Sequence, residues 1–400
     1  MISNQALIDR FLRYVKIDTQ SLEDTGTVPS TMKQHDLARL LYEELTAMGL
    51  TDITYDKDHC VIYAYIPASE GVTSPAIGFI AHMDTSDAVS GADVKPRFLM
   101  NYDGNDALLP KDAFPSLPAH IGRDLIATDG TTLLGADDKA GVAEIMNLAA
   151  YLTSHPEVPH RGVAIAFTPD EEIGCGVDHF DPALFKAKAA YTVDGGEFGG
   201  VEFETFNAAA ATVTINGVSV HPGDAKGIMK NASLIAMAFN AALPSDERPE
   251  CTEGRQGFFM LSSMSGEVEK AVLRYIIRDH DRGLFEKRKE TVRSVAASLN
   301  ETYGPGTVDL VLEDQYYNMA EILKDRMDLV RDAEEVIRSL GGTPFSEPVR
   351  GGTDGSRLTF MGIPCPNLGT GGYNYHSRFE YACIQEMELC AETLIRLAAV

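Results

Sequence analysis

Hydrophobic and polar positions follow two different periods along this chain. "CVIYAYIP" (residues 60–67) and "AIGFIAHMD" (76–84) are apolar runs of strand length, and the second is apolar almost throughout, as a strand buried on both faces would be. "GADDKAGVAEIMNLAAYLTSH" (135–155) enters from a glycine and carries Val142, Ile145, Met146 and Leu148 along one side, which predicts a helix. "RGVAIAFTPDEE" (161–172) and "AAYTVDGG" (189–196) are further apolar runs, and each ends in acids. Strands alternating with helices predict an α/β domain with a central, mostly parallel sheet.

From about Asn207 the pattern changes. "ATVTINGVSVHPG" alternates and then turns, "IMKNASLIAMAFNAAL" is helical, and "GFFMLSSMSGEVEKAVLRYIIRDHD" reads as successive antiparallel strands. A charged helix over 281–303 and a strand at "TVDLVLED" complete a strand–helix–strand–strand–helix–strand order, an α+β unit of the split βαβ kind. After about Gln315 the first style returns, with a helix near 321–340, a Gly-rich "RGGTDGSRL", a short apolar "GIPCPNLG" and a closing helix. The expected organisation is a catalytic domain over 1–206 and 316–400, with an inserted lid domain over 207–315.

Composition narrows the class. The chain has 400 residues, 44% hydrophobic and 23% charged, which suits a two-domain globular protein. A formal net charge of −25 argues against nucleic acid or an anionic membrane as partner, since both require basic patches. No stretch approaches the roughly 18 uninterrupted apolar residues of a membrane span. The opening "MISNQALIDRFLRYVKIDT" has helical apolar spacing broken by Asp9, Arg10 and Arg13, without the apolar core of a signal peptide. Six scattered cysteines with no CxxC pair fit reduced thiols, so a cytoplasmic location is expected.

The candidate chemistry sits where the apolar runs end. "IGFIAHMDTS" delivers His82 and Asp84, "AFTPDEE" delivers Asp170, Glu171 and Glu172, and "YTVDGG" delivers Asp194. "LLGADDKAG" adds Asp137 and Asp138, and "GGYNYHSRFE" adds His376. In open α/β sheets, ligands bind at the C-terminal strand edge, so groups distant in sequence can converge there. Taken singly, each has an ordinary structural reading. His82 fits a hydrogen-bonded core histidine, the aspartate pair a helix N-terminus, "VDGG" a turn, and the acidic triplet a solvated loop. Taken together, imidazoles and carboxylates without cysteine are the donor set of a hydrolytic zinc, cobalt or manganese centre. In the HxD pair, the aspartate can accept from the histidine's second nitrogen and so fix its tautomer. No HExxH is present, which excludes a helix-borne single-zinc protease.

"HMDTS", "GADDKAG", "FTPDEEIG", "YTVDGG", "NGVSVHPG", "RGGTDG" and "GGYNYH", in this order, resemble the tripeptide aminopeptidases. These form the peptidase T branch of the di-zinc family that also holds carboxypeptidase G and aminoacylase. The likeness runs from end to end. It implies a hydrolase that releases the N-terminal residue of tripeptides; the alternative is a dipeptidase or an N-acyl amino acid deacylase using the same site. By the resemblance, two zinc ions per subunit, replaceable by cobalt or manganese, are bridged by Asp137. His82 and Asp194 complete one site, and Glu172 and His376 the other. Asp84 orients the histidine, and Glu171 is the general base for a metal-activated water. Two divalent ions of about +4 would be balanced by three carboxylates and a hydroxide. From the lid, His221 resembles the histidine that reaches the developing oxyanion, often from a partner subunit. Arg278, in an otherwise apolar strand, resembles the arginine that grips the substrate carboxylate; Arg350 and Asn231 are further substrate-binding candidates. The expected partners are a small peptide substrate and, through the lid, a second copy of the chain. Glu380 keeps the family spacing after His376, while the acidic segment 86–120 is irregular and is expected only from the resemblance.

Overall fold

The computed structural model describes residues 4–400, and Met1–Ser3 of the opening helical stretch lie outside the described residues. The chain divides into two compact units. The first comprises residues up to 203 together with 321–347 and 353–400; the second comprises 204–320 and 348–352.

In the first unit the strands are β1 (Ile53–Asp56), β2 (Val61–Ile66), β3 (Ile77–His82), β4 (Arg97–Leu99), β5 (Leu125–Ala127), β6 (Val163–Thr168), β7 (Ala190–Gly195) and β8 (Val201–Glu202). The helices before the second unit are α1 (Asn4–Tyr14), α2 (Gln34–Ala47), α3 (Ala136–Ser154) and α4 (Pro182–Phe185). The second unit contributes β9 (Asn207–Asn216), α5 (Ala232–Ala242), β10 (Phe258–Gly266), β11 (Lys270–Asp279), α6 (Arg282–Tyr303) and β12 (Val308–Tyr316). The chain then runs through α7 (Ala320–Leu323), α8 (Met327–Ser339), α9 (Asp354–Phe360), β13 (Asn367–Gly369), β14 (Gly372–Tyr373), β15 (Tyr381–Cys383) and α10 (Ile384–Ala398).

The large sheet of the first unit has the order β1-β2-β6-β3-β7-β13-β8. Its four central strands, β6, β3, β7 and β13, are parallel, with antiparallel strands at both flanks. Every residue of β3 and β6 is buried, the consequence of cover on both faces that their unbroken apolar runs require. On one face, Ile80, Ala164, Ala166 and Ala190 pack with Val177, Phe180, Phe185 and Leu358. Helix α3 packs against β3 and β7 and is itself backed by α1 and α10. The mixed α/β class, with a mostly parallel core and a separate antiparallel sheet, is therefore the observed one.

A smaller antiparallel sheet, β14-β15-β5-β4, was not foreseen. It takes two strands from segment 97–127 and two from 372–383, around Tyr102, Leu109, Leu117 and Tyr381. The segment read as an irregular loop is thus partly strand.

The second unit forms a four-stranded antiparallel sheet, β10-β11-β9-β12. Alternate residues of β9 (Ala209, Ala211, Val213, Ile215) meet Ile235, Ala236 and Phe239 of α5 and Phe285 and Val292 of α6 in a single apolar cluster. Asn231 caps α5 by accepting from the Leu234 amide at 3.2 Å, and Asp281 caps α6 by accepting from the Leu284 amide at 2.8 Å. Residues 348–352, which include Arg350, are part of this unit rather than of the one that carries the flanking segments.

Candidate metal centre

The parallel strands deliver their C-terminal ends to one edge of the large sheet. His82 is the last residue of β3, Asp194 lies at the end of β7, and the acids 170–172 directly follow β6. The strand register sets His82 beside Thr168. Asp137 arrives from the entry to α3. There Gly135 takes a left-handed conformation and Asp137 and Asp138 depart from helical angles, so the regular helix begins after the aspartate pair. Close packing enforces this entry, because a Cβ on Gly141 would overlap the Val193 carbonyl oxygen.

Asp137 sits between two imidazoles. Its Oδ1 is 2.9 Å from His82 Nε2 and its Oδ2 is 3.1 Å from His376 Nε2. Each histidine has a second carboxylate: Asp194 Oδ1 lies 3.3 Å from His82 Nε2, and Glu172 Oε2 lies 2.8 Å from His376 Nε2. Glu172 Oε1 is buried with no partner among the described residues, an orphaned acceptor aimed at a missing positive charge. His82 Nδ1 faces the Asp84 backbone carbonyl at 3.1 Å and Asp84 Oδ1 at 3.3 Å. Two acceptors at Nδ1 place a proton there, which leaves Nε2 as the nitrogen that faces Asp137 and Asp194.

Asp84 also organises the acid turn. It is fully buried, and its Oδ1 and Oδ2 accept from the backbone amides of Glu171 and Glu172 at 3.0 and 3.2 Å. Asp170, at a positive φ of 51°, turns the other way. It accepts from Ser30 N, Ser30 Oγ and Gln34 Nε2 at 2.5–2.6 Å. Glu171 donates its backbone amide to Asp84 Oδ1, and its own carboxylate makes no hydrogen bond among the described residues. Glu380 Oε2 accepts from the Leu134 and Gly135 amides at 2.7 and 2.8 Å, and its Oε1 accepts from Asp137 N at 3.1 Å, so a buried carboxylate clamps the turn that presents Asp137.

The electrostatics are those of acids crowded around too little positive charge. Burial, reinforced by Asp137, pushes Glu172 and Asp194 up to about 7. Burial and the nearby Asp194 push Glu171 well above the ordinary carboxylate range. Asp137 is the exception: burial acts against its charge, yet the His376 and His82 imidazoles hold it below its usual value. Hydrogen bonds to Asp137 and Glu172 push His376 up to about 11. Divalent cations would relieve this crowding, and the donors suit them. Nitrogen and oxygen atoms of His82, Asp137 and Glu172, and of His82, Asp138 and Asp194, lie within 4.8 Å of one another.

Several supporting residues carried no assignment in the sequence. Asp354, within "GGTDG", is buried and accepts from Thr168 Oγ1 at 2.7 Å, and burial pushes it up to about 6. Asn367 Oδ1 accepts from Asp194 N at 3.1 Å, and the Tyr375 hydroxyl donates to Gly195 O at 2.8 Å, so both steady the end of β7. Asp138 Oδ2 accepts from His82 N at 3.2 Å. Tyr375 adjoins a motif histidine and Asp354 lies within a motif, but only the fold supplies their partners.

The remaining candidates belong to the second unit. His221 is largely exposed, with Nδ1 accepting from Gly223 N at 3.2 Å. Asn231 is the α5 cap already described. Arg278 Nη1 donates to Gln315 Oε1 at 3.1 Å and to the Ile277 carbonyl at 3.2 Å, and its guanidinium lies 5.3 Å from the Tyr316 ring centre; no carboxylate among the described residues pairs with it. Arg350 is spent on the 252–256 loop. It donates to Gly254 O at 2.7 Å, Gln256 O at 3.1 Å and Thr252 Oγ1 at 2.9 Å, and it lies beside the Phe206 and Phe258 rings.

Residues 203–307 match the family model of the peptidase dimerisation domain. Over 98% of its length the chain is 51% identical to peptidase T of Caldanaerobacter subterraneus subsp. tengcongensis, of which the match covers 97%. The chain belongs to the peptidase T family. Among solved structures, a tripeptidase from Staphylococcus aureus subsp. aureus mu50 superposes with a TM-score of 0.80 at 22% identity, covering 100% of this chain and 98% of that one. A dinuclear metal-binding peptidase from Bacillus subtilis superposes with a TM-score of 0.66 at 15% identity, covering 99% and 97%. These two likenesses concern the fold. No described helix is long and apolar enough to cross a membrane.

Proposed function

We propose that this member of the peptidase T family is a metal-dependent aminopeptidase that releases the N-terminal residue from tripeptides, with two zinc ions held by His82, Asp137, Glu172, Asp194 and His376. The observation that carries the reading is Asp137, whose two oxygens are divided between two imidazoles that each have a further carboxylate beside them. His82 and Asp194 would hold one ion, Glu172 and His376 the other, and Asp137 would serve both. Bound there, the metals would supply Lewis acidity towards the scissile carbonyl and the attacking water.

The chain's own residues divide the remaining work. Glu171, whose carboxylate is committed to no other group, takes the water proton and returns it to the leaving amine. Asp84 fixes both the His82 tautomer and the backbone from which Glu171 and Glu172 project. Arg278, a cation without a carboxylate partner, binds the C-terminal carboxylate of the peptide, and exposed His221 donates to the developing oxyanion. Arg350 and Asn231 have their polar groups engaged within their own unit, so we assign them to shaping it. The match to a dimerisation domain supports assembly of two copies through the second unit.

The test separates the neighbouring glutamates and the substrate class together. Glu171→Ala is expected to keep its metal and lose several orders of magnitude in kcat, whereas Glu172→Ala loses metal by elemental analysis. Tripeptides should turn over in preference to dipeptides and acetyl-amino acids, and chelation should abolish turnover until zinc, cobalt or manganese is restored. Equal metal loss in the two variants, or activity indifferent to chelator, would overturn the assignment.

A further inference from the structure

Outside the candidate centre, one more group of metal-donor atoms converges. His120 ends the short 3-10 turn Leu117–His120, Cys383 ends β15, and Glu386 lies in the first turn of α10. One donor atom from each lies within 4.8 Å of the others. His120 and Cys383 are buried, and the group shares no residue with the acid cluster described above.

The atoms that do not converge are already committed. His120 Nδ1 faces the Ser116 carbonyl at 2.8 Å and the Tyr381 hydroxyl at 3.2 Å, which places a proton on Nδ1 and turns Nε2 inward. Glu386 Oε2 accepts from the Tyr373 hydroxyl at 2.6 Å and from Phe198 N at 3.1 Å, which leaves Oε1 facing His120 Nε2 at 3.0 Å. The Cys383 sulfur has only a long contact, 3.7 Å, to Gln385 Oε1. Two of the three ligands have an outer atom fixed by hydrogen bonds while a donor atom from each of the three lies near the others, the arrangement that surrounds a bound metal. An N···O separation of 3.0 Å spans a zinc ion with bonds of about 2.0–2.1 Å to each atom, at an angle slightly above a right angle and below the tetrahedral value. The same distance also fits an imidazolium–carboxylate pair, so the sulfur decides between the two.

We propose that His120 Nε2, Cys383 Sγ and Glu386 Oε1 form a separate site for one zinc-class divalent cation, completed by water, which pins the 117–120 turn to the β15–α10 junction. On binding, the cation displaces to solvent the thiol proton and the proton shared between His120 Nε2 and Glu386 Oε1. The site therefore carries the same net charge filled or empty, as a buried cluster requires. A nitrogen–sulfur–oxygen set favours zinc or cobalt over magnesium or calcium.

Cysteine makes the site spectroscopically distinct, because no cysteine belongs to the catalytic cluster. Metal-stripped full-length protein is titrated with cobalt(II), followed by absorbance and elemental analysis. Wild type and Cys251→Ser, which lacks the exposed thiol, are expected to show a near-ultraviolet thiolate-to-cobalt charge-transfer band that added zinc removes. Cys383→Ser should lose the band and bind one equivalent fewer. Folded wild type without the band overturns the site whatever the fate of the variant, leaving an ion pair beside a neutral thiol. A band that disappears with Cys251→Ser and survives Cys383→Ser overturns it equally.

Discussion

Asp84→Asn changes one buried oxygen to an NH2 group and tests whether Asp84 holds the metal-binding turn. In the native protein Oδ1 serves His82 Nδ1 and the Glu171 amide, and Oδ2 serves the Glu172 amide. The asparagine has one acceptor for these sites. His82 Nδ1 must keep its proton against the Asp84 backbone carbonyl, so the amide oxygen stays on the His82 and Glu171 side. The new NH2 then faces the Glu172 N–H, donor against donor. One charge-assisted bond is lost and two buried donors are left unmatched, a cost of about 2–4 kcal/mol. Because the mismatch falls on the backbone of Glu172, the ion proposed for Glu172 and His376 should weaken most, by about 10–100-fold in affinity. Competition against a chromophoric chelator reads the loss directly, and turnover should recover largely at saturating metal. An asparagine variant that binds both metals as tightly as wild type would refute this account of Asp84.

Glu144 on α3 is fully buried with neither carboxyl oxygen partnered among the described residues, and burial raises its pKa well above the ordinary value. Above the unfolded pKa the folded state therefore holds a proton that the unfolded state has released, so stability falls as pH rises by about 1.4 kcal/mol per unit until the folded pKa is reached. Glu144→Gln removes that slope; its stability relative to wild type, read by denaturant unfolding at several pH values at equal metal content, should improve as pH rises, and a pH-independent difference would contradict the reading. Gly141→Ala drives a methyl into the Val193 carbonyl and Asp138 Oδ1 and should cost about 3 kcal/mol by thermal unfolding, with reduced metal content because the entry to α3 shifts. Asp170→Ala strands the Ser30 amide, the Ser30 hydroxyl and the Gln34 amide group, for a loss of about 3 kcal/mol or more in unfolding free energy.

The large sheet was legible because its central strands are buried on both faces and so spell unbroken apolar runs, and because helices of the length of α3 and α6 carry a full period. The small sheet was not legible. Strands of three residues such as Arg97–Leu99 and Leu125–Ala127 hold no measurable alternation, and β5 finds its partner at Tyr381–Cys383, about as far along the chain as pairing reaches here. Arg350 illustrates a different limit. Its residue type suggested an anion, but its partners are carbonyls of a loop almost a hundred residues away, which no local pattern encodes.

The acidic triplet shows how far pattern and fold each reach. Three adjacent carboxylates after an apolar strand call for positive charge, and the family resemblance proposes the companion ligands. Separating their duties takes the turn itself. The left-handed Asp170 sends its carboxylate back to Ser30 and Gln34, while the two following amides both point at Asp84. That pair of bonds splays Glu171 and Glu172, one carboxylate meeting His376 and the other committed to nothing. A solvated loop would leave all three acids equivalent to water. Here the backbone makes them inequivalent, as required by the proposal that one carboxylate holds metal and its neighbour moves a proton.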